Sequence, residues 1–308
     1  MSKNRTAGKN QKSINGIKDK TKGIIFILLA AFFFSTMSVF VRLSGDVPTM
    51  QKAFFRNIVA AVVAVIILLR SGGPVTVRKK SLPALFLRSA FGTVGILANF
   101  WAVDHLDIAD ANMLNKLSPF FAIVLSIPIL KERPKKIDIL TTLVAFLGAV
   151  LIVRPGSGIS NTIPALIGLY GGFGAGFAYV FVRKLGGKGE KTPIIVLCFS
   201  LFSCLVCIPF IIPVFVLPTF KQLLLLILAG LAATLGQFGI TSAYKFAPAR
   251  EISVFDYTQV VFAALLGILF LHEIPVPLSI AGYAIIIGVA VFRWRYNLVK
   301  DAENKPST

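Results

Sequence analysis

The chain repeats part of itself at a spacing of 141 residues. The segment from Ala102 to Glu132, which ends FFAIVLSIPILKE, recurs from Ala243 to Glu273, which ends VFAALLGILFLHE. The same offset of 141 residues also superimposes Phe121 on Phe262. Self-similarity at a fixed spacing indicates an internal duplication. The fold must therefore accommodate two copies of one unit.

The composition places both copies in a membrane. Of the 308 residues 56% are hydrophobic and only 15% are charged, and the mean hydropathy is +0.81. This is more apolar surface than a soluble core uses. A helix that crosses a bilayer needs roughly 20 mostly apolar residues. The predicted spans are 23–42, 48–69, 82–103, 108–130, 137–153, 162–182, 193–213, 220–244, 250–271 and 277–296. We therefore predict an all-α polytopic membrane protein with ten transmembrane helices.

The distribution of cations along the loops predicts the orientation of these spans. With the N-terminus in the cytoplasm, 25 of the 32 Lys and Arg residues fall on the cytoplasmic side. Only Arg42, Arg154 and Lys221 fall on the outer side. Cytoplasmic loops carry an excess of Lys and Arg. We predict a plasma (inner) membrane protein with both termini in the cytoplasm, and we assign the net charge of +19 to this bias rather than to nucleic-acid binding.

The orientation makes the duplication an inverted one. The repeated segments form spans four and nine, and helices five spans apart cross the bilayer in opposite directions. The predicted units are a basic tail (1–22), a first five-helix repeat (23–155), a second inverted five-helix repeat (162–296) and a C-terminal tail (297–308). Inverted repeats are typical of secondary transporters, with the substrate site near the midplane between them. The alternative is an old duplication that serves only as a scaffold.

Three segments resemble a known family. They are FFRN at 54–57, LSPFFAIVLSIPILKER at 117–133 and the degenerate LHE at 271–273. Together with the ten spans, they resemble the EamA-type branch of the drug/metabolite transporter superfamily, from about Lys22 to Arg295. The resemblance implies that the first four helices of each repeat line a central cavity and that the fifth is peripheral. Because the second repeat lacks the basic residue of the Lys-Glu-Arg motif, no ion-pairing role is expected for Glu273.

The strongest candidate site residues lie in the two repeated spans. Asn112, Asn115 and Lys116 share one face of span four, and Lys116 lies near mid-depth at 1.5 Å per residue. At the repeat offset Asn115 corresponds to Asp256 and Lys116 to Tyr257. Ionisable groups at membrane depth are expensive, so each needs a partner, a watery cavity or a function.

Two interpretations of Lys116 and Asp256 remain open. In the first, they face a common cavity and bind the carboxylate and the cationic group of a zwitterionic metabolite, or hold each other when the site is empty. In the second, they form a structural ion pair, or Lys116 snorkels toward an interface. Asp256 is also the candidate for coupling transport to protons.

Further candidates lie in spans two, three and eight. Arg56 offers a fork for carboxylate or phosphate and adjoins Asn57; the alternative for Arg56 is a hydrogen bond to a carbonyl of another helix. Arg88 lies nearer the cytoplasmic end of span three and is expected to snorkel. Asn99 and Gln237 are weaker candidates, and hydrogen bonds between helices explain them equally well.

Small residues predict a packing surface on span six. Gly168, Gly172 and Gly176 recur at four-residue steps, with Gly171 and Gly174 beside them. Such a face allows another helix backbone to approach closely.

The motifs of common enzyme classes are missing from the sequence. It has no HExxH, P-loop or GxSxG motif, so we predict neither an enzyme nor a cofactor. The leading hypothesis is a secondary transporter of a small polar metabolite, zwitterionic or anionic, such as an amino acid, together with a coupling ion or counter-substrate. The alternatives are an exporter of lipophilic drugs and a membrane-embedded lipid-handling protein.

Overall fold

The computed structural model describes residues 2–71, 76–105, 114–153, 162–271 and 277–303, and the regular structure of these residues is helical. The helices are α1 (Ser2–Leu43), α2 (Thr49–Arg70), α3 (Leu82–His105), α4 (Ser118–Leu130), α5 (Lys136–Val153), α6 (Thr162–Gly187), α7 (Thr192–Ile211), α8 (Phe220–Phe246), α9 (Ala249–Asp256), α10 (Thr258–Leu271) and α11 (Pro277–Glu303). Short 3₁₀ turns at Lys79–Ser81 and Ile212–Val214 precede α3 and follow α7.

Seven helical segments among the described residues are long and apolar enough to cross a membrane. They are Asp19–Leu43, Thr49–Arg70, Lys79–Asn99, Leu166–Gly187, Thr192–Val214, Phe220–Phe246 and Ala249–Phe270. The protein is therefore a multi-pass membrane protein, as predicted. The spans predicted at 108–130, 137–153 and 277–296 correspond to α4, α5 and α11, and the total of ten stays a prediction.

The first helix is longer than the span it contains. It begins at Ser2, whereas its apolar segment begins at Asp19. The boundary predicted at residue 22, between a basic tail and the first span, therefore does not coincide with the start of a helix.

The contacts between helices follow the same duplication as the sequence, because helices in one copy make contacts that their counterparts in the other copy also make. Helix α1 packs on α8 and α10, whereas α6, its counterpart in the second copy, packs on α3 and α4. The pairs α2–α7 and α5–α11 each join a helix to its counterpart in the other copy. Exchanging every helix for its counterpart in the other copy leaves this set of contacts unchanged. The two copies therefore pack against each other as equivalent units.

Both copies break a helix at the same place. In the first copy the chain turns at Lys116 and Leu117, just before α4, and Pro119 lies in the first turn of that helix. In the second copy Tyr257 separates α9 from α10. Proline lacks the backbone N–H that a helix interior requires, so Pro119 favours a helix start. The second break has no proline, but Thr258 Oγ1 donates to the Phe255 carbonyl at 2.6 Å and caps the end of α9.

The predicted glycine face packs on two neighbouring helices. A Cβ on Gly172 would lie 2.6 Å from the Leu114 carbonyl oxygen, and one on Gly176 would lie 2.8 Å from that of Ser118. On the other side of α6, a Cβ on Gly174 would lie 2.8 Å from the Phe91 carbonyl oxygen of α3. Glycine is thus required where α6 meets the backbone of α3 and of the segment around the first helix break.

The substitution Gly172→Ala tests this contact. Its methyl group would meet a backbone carbonyl that cannot turn aside, and such overpacking costs about 1–3 kcal/mol. We expect the Tm of the purified protein in detergent to fall by at least about 3 °C. Gly288→Ala is the matched control, because a Cβ at that position has no atom within 4 Å. Equal Tm values for the two variants would contradict the packing described here.

Candidate functional site at the helix breaks

The two helix breaks are joined by a hydrogen bond between residues that are equivalent in the repeat. The Tyr257 hydroxyl donates to the Lys116 carbonyl at 2.8 Å, and the two residues are 141 positions apart. The backbone N–H groups of Phe120 and Phe121 both donate to Leu117, so the helix that follows does not use the Lys116 carbonyl. Tyr257 is fully buried. The tyrosine of one copy therefore satisfies a carbonyl that the break in the other copy leaves free.

The Lys116 side chain extends from the same break toward α9 and α10. Its Nζ lies 3.8 Å from Asp256 Oδ2 and donates to Gln259 Oε1 at 2.8 Å. The exposed fractions of the Lys116 and Asp256 side chains are 14% and 7%. The structure thus brings together the two ionisable residues that the sequence singles out in the repeated spans. Gln259 was not among the predicted site residues. At the repeat offset it corresponds to Ser118, which was not among them either.

Arg56 and Asn57 of α2 also lie inside the bundle. The Arg56 guanidinium lies over the Phe34 ring, 5.8 Å from its centroid. Asn57 is 2% exposed, and its Nδ2 has no hydrogen-bond partner among the described residues. Within the same residues, no hydrogen bond connects Arg56 to a carbonyl of another helix, which was the alternative to a site role.

The snorkelling predicted for Arg88 is wrong. The residue is 2% exposed, and its guanidinium lies 4.1 Å from the centroid of the Phe199 ring on α7. Gly92, one turn later on α3, provides space, since a Cβ there would overlap Arg88 Nη1. Position in the sequence suggested an interfacial residue, but the missing side chain of Gly92 lets the guanidinium fold into the interior instead.

Two tyrosines connect the acidic and basic parts of this interior. The rings of Tyr179 on α6 and Tyr244 on α8 stack at a centroid distance of 4.6 Å and an interplanar angle of 16°. Tyr179 interacts electrostatically with Asp256 and with the guanidiniums of Arg56 and Arg88. Sequence analysis did not predict Tyr179, because an aromatic residue in an apolar helix gives no signal of its own.

The remaining predicted site residues have more local environments. Gln237 is buried and donates to Thr241 Oγ1 on its own helix at 3.2 Å. Asn99 is half-buried, its backbone faces Gly171, and its Oδ1 has no hydrogen-bond partner among the described residues. Asn115 is half-buried beside α6. Asn112 lies outside the described residues.

Ion pairs and hydrogen bonds connect the helices at one end of the bundle. Glu132 Oε1, just after α4, lies 3.6 Å from Arg183 Nε on α6. Arg183 Nη1 donates to the Lys245 carbonyl at 2.7 Å, and Lys245 Nζ donates to the Glu190 carbonyl at 2.9 Å. Burial raises the pKa of the Glu132 carboxyl, and the charges of Arg183 and Arg250 oppose the rise. This network, which we call the end network, joins α4, α6 and α8.

A polar cavity of about 410 Å³ lies beside the end network. Its lining residues are Asp19, Lys20, Arg183, Lys245, Phe246, Ala247, Pro248, Arg250 and Glu251. Lys20 Nζ lies 3.8 Å from Glu251 Oε2 across this cavity.

The interior arrangement suits the binding of a polar, charged compound. An ammonium and a carboxylate lie 3.8 Å apart at the helix breaks, and the Tyr179 phenol interacts electrostatically with two guanidiniums. Among the described residues, no group of three His, Cys, Asp or Glu side chains is placed to hold a metal ion.

Comparison with known sequences decides the family. The sequence profile described as "EamA-like transporter family" matches residues 21–154 and again residues 162–294. The chain belongs to this family. The resemblance to the EamA branch of the drug/metabolite transporter superfamily is thereby confirmed.

Curated relatives of this EamA-family protein are named as transporters. The chain is 34% identical over 271 residues to the pseudopaline exporter CntI of Pseudomonas aeruginosa, which covers 87% of this chain and 94% of that protein. It is 28% identical over 295 residues to human solute carrier family 35 member G1, and the match covers 88% of this chain and 80% of that protein. An uncharacterized transporter of Helicobacter pylori is 28% identical over 255 residues, and the match covers 80% of this chain and 85% of that protein. The protein is therefore a membrane transporter.

A solved structure shares the fold. One crystal structure superimposes with a TM-score of 0.79 over 88% of this chain and 96% of its own chain, at 17% sequence identity. This likeness concerns the helical architecture alone.

The raised pKa of Glu132 predicts how stability depends on pH. A carboxyl whose pKa is higher in the folded state binds its proton more tightly there, so it destabilises the fold above that pKa. This destabilisation is relieved as the pH falls through the folded pKa toward the ordinary value. We expect the Tm of Glu132→Gln minus that of the native protein to be largest at neutral pH and to shrink on acidification.

Thermal unfolding in detergent between pH 4 and 8 measures this difference. The substitution Glu251→Gln is the control, because it removes a different carboxylate at the same end of the bundle, the one that lies 3.8 Å from Lys20 Nζ. A Tm difference for Glu132→Gln that stays constant with pH would contradict the buried environment of Glu132.

Proposed function

We propose that the protein is a secondary transporter of a small polar metabolite, anionic or zwitterionic, and that it works by alternating access between two inverted five-helix repeats. The observation that carries this proposal is the buried contact of Lys116 with Asp256 and Gln259 at the joined helix breaks. A buried ion pair contributes little net stability compared with an apolar contact of the same volume. Its position at the junction of the two copies favours a role in binding.

The chemistry of the pair matches a zwitterion or an anion. Lys116 offers an ammonium to a carboxylate, and Asp256 offers a carboxylate to an amine. A substrate with both groups replaces each partner with an equivalent one, so neither charge is left buried and unpaired. In the empty site Lys116 and Asp256 pair with each other, and in the occupied site each of them pairs with a charged group of the substrate.

The packing of the two copies supports the inverted arrangement. The contacts of α1 with α8 and α10 have counterparts in those of α6 with α3 and α4. Transporters built from inverted repeats open to either side by moving one repeat against the other around a fixed site. The end network, at the end we assign to the cytoplasm, would be broken when that side opens.

The named relatives favour export over import. The Pseudomonas aeruginosa protein that is 34% identical to this chain is named an exporter. We extend that direction of transport to this protein, across the plasma membrane and with both termini in the cytoplasm.

The buried charges favour a polar substrate over a lipophilic one. Aromatic contacts are plentiful, since Phe91, Phe173, Phe177 and Phe181 form a row along α3 and α6 with centroid distances of 4.0 to 6.4 Å. Lys116, Asp256 and Arg88 nevertheless face the same interior, and a lipophilic compound would bury them without replacing their partners. Export of lipophilic drugs is therefore the less favoured alternative.

Transport measurements on charge variants test the proposed site. Purified protein in vesicles is screened for counterflow with amino acids and small organic anions. For each transported compound we expect Lys116→Gln and Asp256→Asn to lower the initial rate at least tenfold. The substitution Lys221→Gln, at an exposed lysine in the first turn of α8, is the matched control and should leave the rate unchanged.

The double variant separates binding from folding. Each single change leaves the other charge buried without its partner, which destabilises a fold by about 3–5 kcal/mol. Changing both residues together should restore the Tm but not transport. If the double variant transports at the native rate, or if only lipophilic cations show counterflow, the proposed site or the proposed substrate class is wrong.

A further inference from the structure

Arg88 is a buried cation that has no carboxylate of the described residues within ion-pairing distance. It is 2% exposed, and its Nε has no hydrogen-bond partner in the part of the chain that the structure describes. The Phe199 ring covers the flat face of the guanidinium at 4.1 Å. A stacked guanidinium keeps its N–H donors in the plane of the group, where they are free to bind an acceptor.

Arg56 on α2 provides a second cation, which is half-buried. The Phe34 ring faces its guanidinium at 5.8 Å, and the adjacent Asn57 has a buried amide nitrogen with no hydrogen-bond partner among the described residues. Arg56 lies close enough to Arg88 for the two charges to repel each other. No carboxylate of the described residues lies within 4.0 Å of either guanidinium, the distance at which an ion pair forms.

Among the described residues, the charged groups in this part of the interior are the cations of Arg56, Arg88 and Lys116 and the carboxylate of Asp256. Positive charge exceeds negative charge among these groups. Lys116 is paired with Asp256, so the two guanidiniums have no negative partner among the described residues. Burying an unpaired charge is strongly unfavourable. Arg88, whose charge is repelled by that of Arg56, therefore calls for a ligand that supplies negative charge.

Tyr179 and Tyr244 connect these guanidiniums to the ion pair. Tyr179 interacts electrostatically with both guanidiniums and with Asp256, whereas Tyr244, stacked on it, interacts with Asp256. Tyr179 thus lies within electrostatic range of both guanidiniums and of the carboxylate of the Lys116–Asp256 pair.

We propose that Arg56 and Arg88 form an anion subsite and that the substrate is a small dianion, with two carboxylates or one phosphate. This inference deepens the proposed function by naming the charge of the substrate, and it rests on that proposal only for the statement that the ligand is transported. Planar guanidinium forks match carboxylate and phosphate oxygens with two parallel hydrogen bonds. Gly92 belongs to the subsite as well, because its missing side chain holds the space that the Arg88 guanidinium occupies.

Binding measurements with matched anions test the subsite. The probes are succinate and glutarate, their monocarboxylate analogues butyrate and valerate, and glycerol phosphate, each titrated into purified protein while thermal unfolding and bound heat are recorded. We expect a dianion to stabilise the native protein at concentrations at which its monoanionic analogue has no effect. The comparison of succinate with glycerol phosphate distinguishes a dicarboxylate from a phosphate ester.

Variants of the two arginines give the expected losses. Arg88→Gln and Arg56→Gln should each weaken dianion binding at least tenfold and abolish the preference over the monoanion. Arg88→Lys keeps the charge but not the fork and should weaken binding less. Gly92→Ala should displace the guanidinium and resemble Arg88→Gln. The substitution Lys221→Gln is the control and should bind like the native protein.

Stability without ligand separates a binding role from a structural one. Removing an uncompensated buried charge should leave the Tm of the unliganded Arg88→Gln protein equal to or above the native value. The inference is overturned if no dianion stabilises the native protein, if both arginine variants keep the dianion preference, or if Arg88→Gln lowers the unliganded Tm while leaving binding unchanged.

The proposed function fails in a different way. Dianion binding that depends on Arg56 and Arg88, in a protein that shows no counterflow with any polar compound, would support the subsite and refute the transport of polar metabolites. Counterflow of monoanions or neutral zwitterions that is indifferent to both arginines would support the proposed function and overturn the subsite.

Discussion

A helix that breaks inside a membrane leaves backbone groups without partners, and lipid supplies none. In this protein a side chain at one break satisfies the backbone of the other, because the Tyr257 hydroxyl donates to the Lys116 carbonyl at 2.8 Å. The same contact brings Lys116 Nζ within 3.8 Å of Asp256 Oδ2. The position of the ion pair and the junction of the two copies therefore depend on one interaction between equivalent residues. Any motion that separates the copies must act on this contact.

The two copies pack alike, but a few equivalent positions carry different side chains. These differences explain how a duplicated scaffold acquires a specific site. Gly176 lies against the Ser118 carbonyl; at the equivalent place in the other copy, Ser35 Oγ donates to the Gln259 carbonyl at 2.8 Å. Equivalent backbones thus approach each other in both copies, while the side chains there differ. The same holds at the breaks, where an ammonium in one copy corresponds to a phenol in the other. These differences provide the polarity of the interior without disturbing the packing.

The sequence was sufficient for the membrane class, the family and the convergence of Lys116 with Asp256, because apolar length, repeat offset and rare buried charges are local signals. It was insufficient where the outcome depends on a neighbouring helix. Arg88 was expected at an interface, but the space above Gly92 and the Phe199 ring on α7 hold it inside. Tyr179 was missed for the same reason, since its stacking on Tyr244 arises only when α6 packs on α8. The start of α1 at Ser2 was also not predicted.

The central claim is that a substrate takes over the contacts which Lys116 and Asp256 make with each other. An experimental structure of the protein with a transported compound bound, determined in lipid, tests this most directly. Our account predicts density for the compound at the helix breaks, with polar atoms within hydrogen-bonding distance of Lys116 Nζ or Asp256 and a longer distance between these two side chains. A compound bound elsewhere, with the Lys116–Asp256 pair intact and Tyr257 still bonded to the Lys116 carbonyl, would contradict it.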